Sequence, residues 1–162
     1  MVKEKAMGAR KSWTERLADS KNLPEIKAIP EKMAKRLGPG SMVVPAPGEV
    51  DAVMRTVARR KVATAREIGA SLARKHDTTV CCIVTTGIFA WIAAHAADEA
   101  EAMGKRRITP YWRLLKPGGE LNGKYPGGVA NVMRRLEEEG HVVVRDGSRY
   151  FVKDYEKKLA PL

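Results

Sequence analysis

Apolar positions through the middle of the chain recur at helical spacing. Val50, Val53, Met54 and Val57 fall at i, i+3, i+4 and i+7, which predicts a helix over Glu49–Arg60. Thr64 and Glu67 make a capping box, in which the Thr side chain takes one free N–H and the Glu reaches back to another. A helix over Ala65–Lys75 follows, with Ile68 and Leu72 facing inward. A short strand is expected at Val80–Val84. Thr85 and Thr86 then precede a long helix, about Ile88–Met103, ended by Gly104. On it Ile88, Trp91, Ile92 and His95 share a face, and Ala93, Ala94, Ala96 and Ala97 permit close packing. Val129, Val132, Met133 and Leu136 predict a last helix over Val129–Glu139, closed by Glu138 and Glu139 and stopped by Gly140. After it the period changes to two. His141–Val144 and Arg149–Val152 alternate around Asp146-Gly147, a hairpin signal.

Two stretches lack this periodicity. Ile108 to Gly128 is rich in Pro and Gly and reads as a long loop, and such loops inside a domain are usually functional. Residues 1–44 hold ten Lys/Arg and five Asp/Glu, broken by Pro24, Pro30 and Pro39. They read as a basic arm with two short helices, Trp13–Ser20 and Glu31–Leu37. Trp13, Leu17, Leu23 and Ile26 are the candidates to pack it onto the body. Pro45-Ala46-Pro47-Gly48 marks the boundary, so a domain is expected over 45–162, with its hairpin at 141–152. Three helices followed by a hairpin predict a mainly α (α+β) fold, a winged helix-turn-helix. In such folds the second helix of the pair enters a DNA groove.

Composition narrows the class. The chain has 162 residues, 44% hydrophobic and 30% charged, an ordinary globular mix that excludes wholesale disorder. No apolar run approaches the roughly 20 residues of a membrane span. Met1 to Lys11 is charged, with no apolar stretch of a secretory signal behind it, so a cytoplasmic protein is expected. The adjacent Cys81 and Cys82 exclude a disulfide framework. His76, His95 and His141 supply no ligand spacing, so neither a metal nor a cofactor is expected. Thirty Lys and Arg against 19 Asp and Glu give a net charge of +11. Seven of the cations fall within Arg55–Lys75: Arg55, Arg59, Arg60, Lys61, Arg66, Arg74 and Lys75. A cluster of this kind holds phosphates or forms a solvated face.

Several motifs in order carry a resemblance. Lys61-Val62-Ala63-Thr64-Ala65-Arg66-Glu67-Ile68-Gly69 resembles a helix start written K-V-T-T-Y-G-D-I-A, and Pro110-Tyr111-Trp112-Arg113 occupies the place of P-C-H-R. Gly118-Gly119-Glu120-Leu121 resembles d-G-x-L, Tyr125-Pro126-Gly127-Gly128 resembles Y-x-G-G, and Leu136 to Gly140 resembles L-L-x-x-E-G. Together, from Glu49 to Gly140, the chain looks like the DNA-binding domain of the alkylguanine-DNA alkyltransferase family. It is most similar to that family's cysteine-less relatives, the alkyltransferase-like proteins.

The resemblance implies a protein that binds duplex DNA and recognises alkylated or damaged bases, with a repair protein as a further partner and no membrane. A monomer is expected. Tyr111 stands where the family's nucleophilic Cys would be and Trp112 where its activating His would be, so no catalytic residue is assigned. Pro110, Tyr111, Trp112, Arg113 and Tyr125 are the candidates for a base pocket, where the aromatic rings stack on a base or fill the space. Arg59, Arg60, Lys61, Arg66, Thr86, Phe89, Arg113 and Lys124 are the candidate DNA contacts. The family's base-rotating Tyr aligns with Ala65, and no Arg lies between Thr85 and Ala97 to serve as its arginine finger. Phe89 or Trp91 could serve there as an apolar wedge, or lie in the core. Asn122 reads as a turn residue.

Three alternatives stay open. One is a general winged-helix DNA binder, architectural or regulatory, without base flipping. Another is alkyl transfer through Cys81 or Cys82, which precede the recognition helix. The last is a protein-interaction module on the same fold.

Overall fold

A computed structural model describes residues 10–162; the first nine residues of the arm lie outside the described residues. Six α-helices occur among them: α1 Trp13–Ala18, α2 Glu31–Leu37, α3 Pro47–Arg55, α4 Ala65–Lys75, α5 Ile83–Ala102 and α6 Gly128–Glu138. The strands are short: β1 Glu25–Ala28, β2 Ser41–Val44, β3 Ala63–Thr64, β4 Val80–Cys81, β5 Leu114–Leu115, β6 Val143–Asp146 and β7 Arg149–Val152.

The capping box at Thr64 forms. The Thr64 N–H donates to Glu67 at 2.8 Å, and the Arg66 N–H donates to the Thr64 hydroxyl at 3.3 Å. It starts α4 where the sequence places it and turns Ile68 and Leu72 into the core. α4, the β4 connection and α5 make the helix-turn-helix pair, and α3 packs against both helices. Gly69 makes the crossing close: a Cβ there would lie 2.8 Å from the Ile83 side chain. The expected hairpin is β6–β7, in register from Val143↔Val152 to Asp146↔Arg149, and it forms the wing. Its two-residue loop places Gly147 at φ +64°, the left-handed conformation that favours glycine.

Two helix boundaries differ from the expectation by more than two residues. α5 begins at Ile83 rather than near Ile88. Thr85 and Thr86 therefore lie within the helix rather than before it. Thr86 is fully buried inside the first turns, and its hydroxyl donates back to the Cys82 carbonyl at 2.8 Å. α3 stops at Arg55 rather than Arg60, because the Thr56 and Val57 N–H groups reach back only three residues. The chain then turns through Arg60, whose φ is +72°.

The arm is tied to the body by strand pairing that its sequence did not announce. β1 pairs antiparallel with β2, and β2 pairs parallel with β4 through Met42↔Val80 and Val43↔Cys81. Met42 and Val43 are core residues. A second pairing, β3 with β5, holds the long loop against the start of α4. The C-terminal segment runs along the same edge, with Leu159 bridging Val62. No helix among the described residues is long and apolar enough to cross a membrane.

Candidate nucleic-acid interface

The loop that carries Pro110-Tyr111-Trp112-Arg113 folds into one 3-10 turn, Tyr111–Arg113, between α5 and α6. Glu139, at the end of α6, gathers it. Trp112 Nε1 donates to this carboxylate at 2.7 Å, Arg113 Nε at 3.0 Å and Arg113 Nη2 at 2.9 Å. The Arg60 backbone N–H donates at 3.1 Å. Arg113 Nη1 also donates to the Val57 carbonyl at 2.7 Å. Burial raises the Glu139 pKa, but the bonds from Arg113, Trp112 and Arg60 outweigh it and hold the group below the usual carboxylate value. Glu139 is thus an ionised, almost fully buried anchor rather than only the end of a helix.

The base-pocket candidates are packed around that anchor. Tyr111 is wholly buried, and its hydroxyl accepts a bond from Asn131 at 3.0 Å. Trp112 meets it edge-on at 5.3 Å and Tyr125 edge-on at 6.0 Å. Pro110 and Tyr125 are buried as well, and Arg135 covers Trp112 at 4.6 Å. Burial pushes both the Tyr111 and the Tyr125 hydroxyl pKa upward, so both phenols stay neutral. Of the two roles the sequence allowed these rings, filling the space is the one this packing displays. Arg113 is committed to Glu139 and Val57 and has no free face for a phosphate.

Seven of the eight DNA-contact candidates fall into two groups, and the eighth, Lys124, is exposed on the loop before α6. Thr86 and Phe89 are buried, as is most of Arg113, so they support the surface rather than form it. Arg59, Arg60 and Arg66 are exposed and Lys61 is half-exposed. None of these four side chains has a carboxylate partner among the described residues; the Arg59 side chain donates instead to the Glu138 carbonyl at 3.2 Å. The bridge between Val62 and Leu159 brings Lys158 alongside this turn, with Lys157 next in the chain. Sequence reasoning passed over these two lysines; their adjacency just after the hairpin was the only signal for them. On the wing Arg149 is paired with Glu120 at 2.7 Å, while Arg145 lies over Tyr150.

The open surface lies on α5. Phe89 points into the core and Ile88 points out, with 52% of its surface exposed; Val84 is 73% exposed. Of the two readings given for Phe89, apolar wedge or core residue, its burial matches the core one, and Ile88 and Val84 are the exposed apolar side chains on this face. Trp91 is half-buried, and its Nε1 donates to the Lys124 carbonyl at 3.2 Å. A groove of about 840 Å³ runs along Val84, Gly87, Ile88, Trp91 and His95, with Asn122 and Lys124 as its far wall. The Asn122 side chain accepts from the Lys124 N–H at 3.0 Å, a turn that holds this wall in place.

The two cysteines are free. Cys81 is buried in β4, and burial pushes its thiol pKa up, away from the nucleophilic thiolate. Cys82 is half-buried just before α5, with its Sγ 3.1 Å from the Thr85 hydroxyl. No group of three or more potential metal ligands occurs among the described residues.

No family model matches the chain, and no curated protein matches it. Two solved structures are similar to it. One is S. pombe Atl1 in complex with damaged DNA containing O6-carboxymethylguanine, at 18% identity and a TM-score of 0.45 over 72% of this chain and 94% of that one. The other is S. pombe ATL in complex with DNA, at 16% identity and a TM-score of 0.46, with the same coverage. The motif order read from the sequence resembles the same group, the alkyltransferase-like proteins.

Proposed function

We propose that this protein binds duplex DNA without catalysing a reaction on it. The observation that carries this reading is the cationic turn Arg59-Arg60-Lys61, joined by Lys158 and standing beside a helix-turn-helix; the charged side chains of these four residues have no carboxylate partner among the described residues. Clustered cations repel one another in the free protein, and a phosphate row relieves that repulsion while releasing counterions. Glu139 anchors the turn through the Arg60 N–H, so the cations are held in place before DNA arrives.

The resemblance to alkyltransferase-like proteins extends the reading to alkylated bases. The packing at Tyr111 limits how. A base swung into that place would have to displace buried aromatic rings whose polar atoms are already paired. Binding that reads backbone and groove shape, with no base in the Tyr111 site, is therefore the form of the proposal that this packing favours.

Fluorescence anisotropy with two matched duplexes, one carrying 6-O-methylguanine and one plain guanine, tests both levels. Comparable binding to the two, weakening steeply with salt, is the expected result. A preference of about ten-fold for the lesion, or about 1.4 kcal/mol, would restore lesion recognition. Absence of binding to either duplex at low salt would remove the DNA reading altogether.

A further inference from the structure

Residues Ile83 to Ala97 of α5 include no Asp, Glu, Lys or Arg. The charges bordering one side of this helix come from the arm. α1 lies against α5 through Trp13, whose ring stacks on His95 at 4.5 Å and meets Trp91 edge-on at 4.8 Å. Glu99, one turn beyond His95, closes the start of α1. Its carboxylate accepts from the Trp13 N–H at 3.1 Å, the Thr14 N–H at 3.2 Å and the Thr14 hydroxyl at 2.7 Å. A six-residue helix is too short to persist alone in water, so this docking is what holds α1 in shape.

The docked arm presents charge. Arg10, Lys11, Arg16 and Lys21 surround a hollow of about 450 Å³ that reaches Ile92 on α5. Among the described residues Asp19 is the one carboxylate lining it, shared by Lys11 at 2.9 Å and Lys21 at 3.7 Å. Four cations less one carboxylate leave a formal +3 from the described residues that line the hollow. Packing the arm onto the body uses Trp13, Arg16, which lies over the Trp13 ring at 4.7 Å, and Glu99; it does not need Arg10, Lys11 and Lys21 exposed around one depression. A row of phosphates is the partner whose charge answers them.

We propose that the arm is a second DNA-backbone clamp, docked on α5 by Trp13 and latched by Glu99, and distinct from the Arg59–Lys61 turn. This rests on the duplex-binding reading. It gives the arm a part in affinity and leaves contact with the bases to the α5 face.

The test uses the full chain and a plain 20-base-pair duplex, with anisotropy measured over a range of salt. One variant combines Arg10→Gln, Lys11→Gln, Arg16→Gln and Lys21→Gln. A second is Glu99→Ala, which unlatches the arm while removing a negative charge. Thermal unfolding checks that both remain folded. If the arm grips phosphates, the Gln variant loses about 2 to 3 units from the slope of log affinity against log salt. Glu99→Ala then binds more weakly than the parent, although its added net charge alone would tighten binding. A parent that binds with an unchanged slope in the Gln variant overturns the clamp and leaves the DNA reading standing. Tighter binding by Glu99→Ala also overturns it, because the arm would then be covering the DNA face. A parent that does not bind at all removes the DNA reading and the clamp together.

Discussion

The Glu139 corner and the outer face of α5 handle side chains in opposite ways. At the corner, a carboxylate, a guanidinium, an indole and two phenols are buried together, and the charged and indole groups pair around one carboxylate. On α5, Val84 and Ile88 stand in solvent beside a groove, with charge only at its margins. The corner is where the resemblance places a family's chemistry, and it is packed shut. The α5 face carries none of the motif residues except the missing arginine position, and it is open. Motif order therefore marks a scaffold here, while the accessible surface marks where a partner can reach.

The first way to break this contrast is to unpair the corner. Arg113→Ala leaves Glu139 buried without its counter-charge, and breaking such a pair typically costs about 3–5 kcal/mol. Urea unfolding should show that loss. A loss below about 1 kcal/mol, the scale of an exposed ion pair, would mean that the corner is a solvated surface like any other.

Acid probes the same corner more gently. His141 is buried beside Glu139, and its Nε2 has no hydrogen-bond partner among the described residues. Burial lowers its pKa from the ordinary 6.5, Glu139 opposes that shift, and Lys158 and Arg113 add to it. The folded protein therefore keeps His141 neutral at pH values where the unfolded chain already binds a proton. Stability from this group is complete above pH 6.5 and falls as the pH drops below it. Glu139 acts in a lower window, below the ordinary carboxylate value of 4.5. Melting curves between pH 7.5 and 5 should show the decline, and His141→Phe should flatten it. A flat profile in the parent would show that His141 is reached by water.

The α5 face should respond least in stability and most in binding. Ile88→Ser sits on the exposed side and should change unfolding free energy by no more than about 0.5 kcal/mol. On the reading that α5 enters a groove, it should weaken duplex binding at every salt concentration and leave the salt slope unchanged, because no phosphate contact is lost. A loss of more than about 2 kcal/mol in stability, the scale of a core truncation, would place Ile88 in the core and erase the contrast.

What the sequence determined by itself was local. The capping box at Thr64, Gly140 after α6 and Gly147 in the hairpin loop each satisfy or bend backbone within a few residues, so their effect is visible in the letters. The order helix, helix-turn-helix, loop, helix, hairpin follows from such signals; the cations at Arg59–Lys61 were legible as a cluster, but the sequence placed Arg59 and Arg60 in a helix and only the structure turned the chain there. What needed tertiary structure was everything that depends on which of two surfaces a residue meets. α5 has apolar residues all round, so its sequence has no phase. Only packing against α3 and α4 decided that Phe89 turns inward and Ile88 outward. Tyr111 could line a pocket or fill it, and neighbours from α6 and the Tyr125 loop filled it. Glu139 looked like one of two acids closing a helix. Its role came from Trp112, Arg113 and Arg60, which lie far from it along the chain and close to it only in the fold. Hydrogen bonds and apolar contacts act over a few ångströms, and sequence distance says little about which groups come that near.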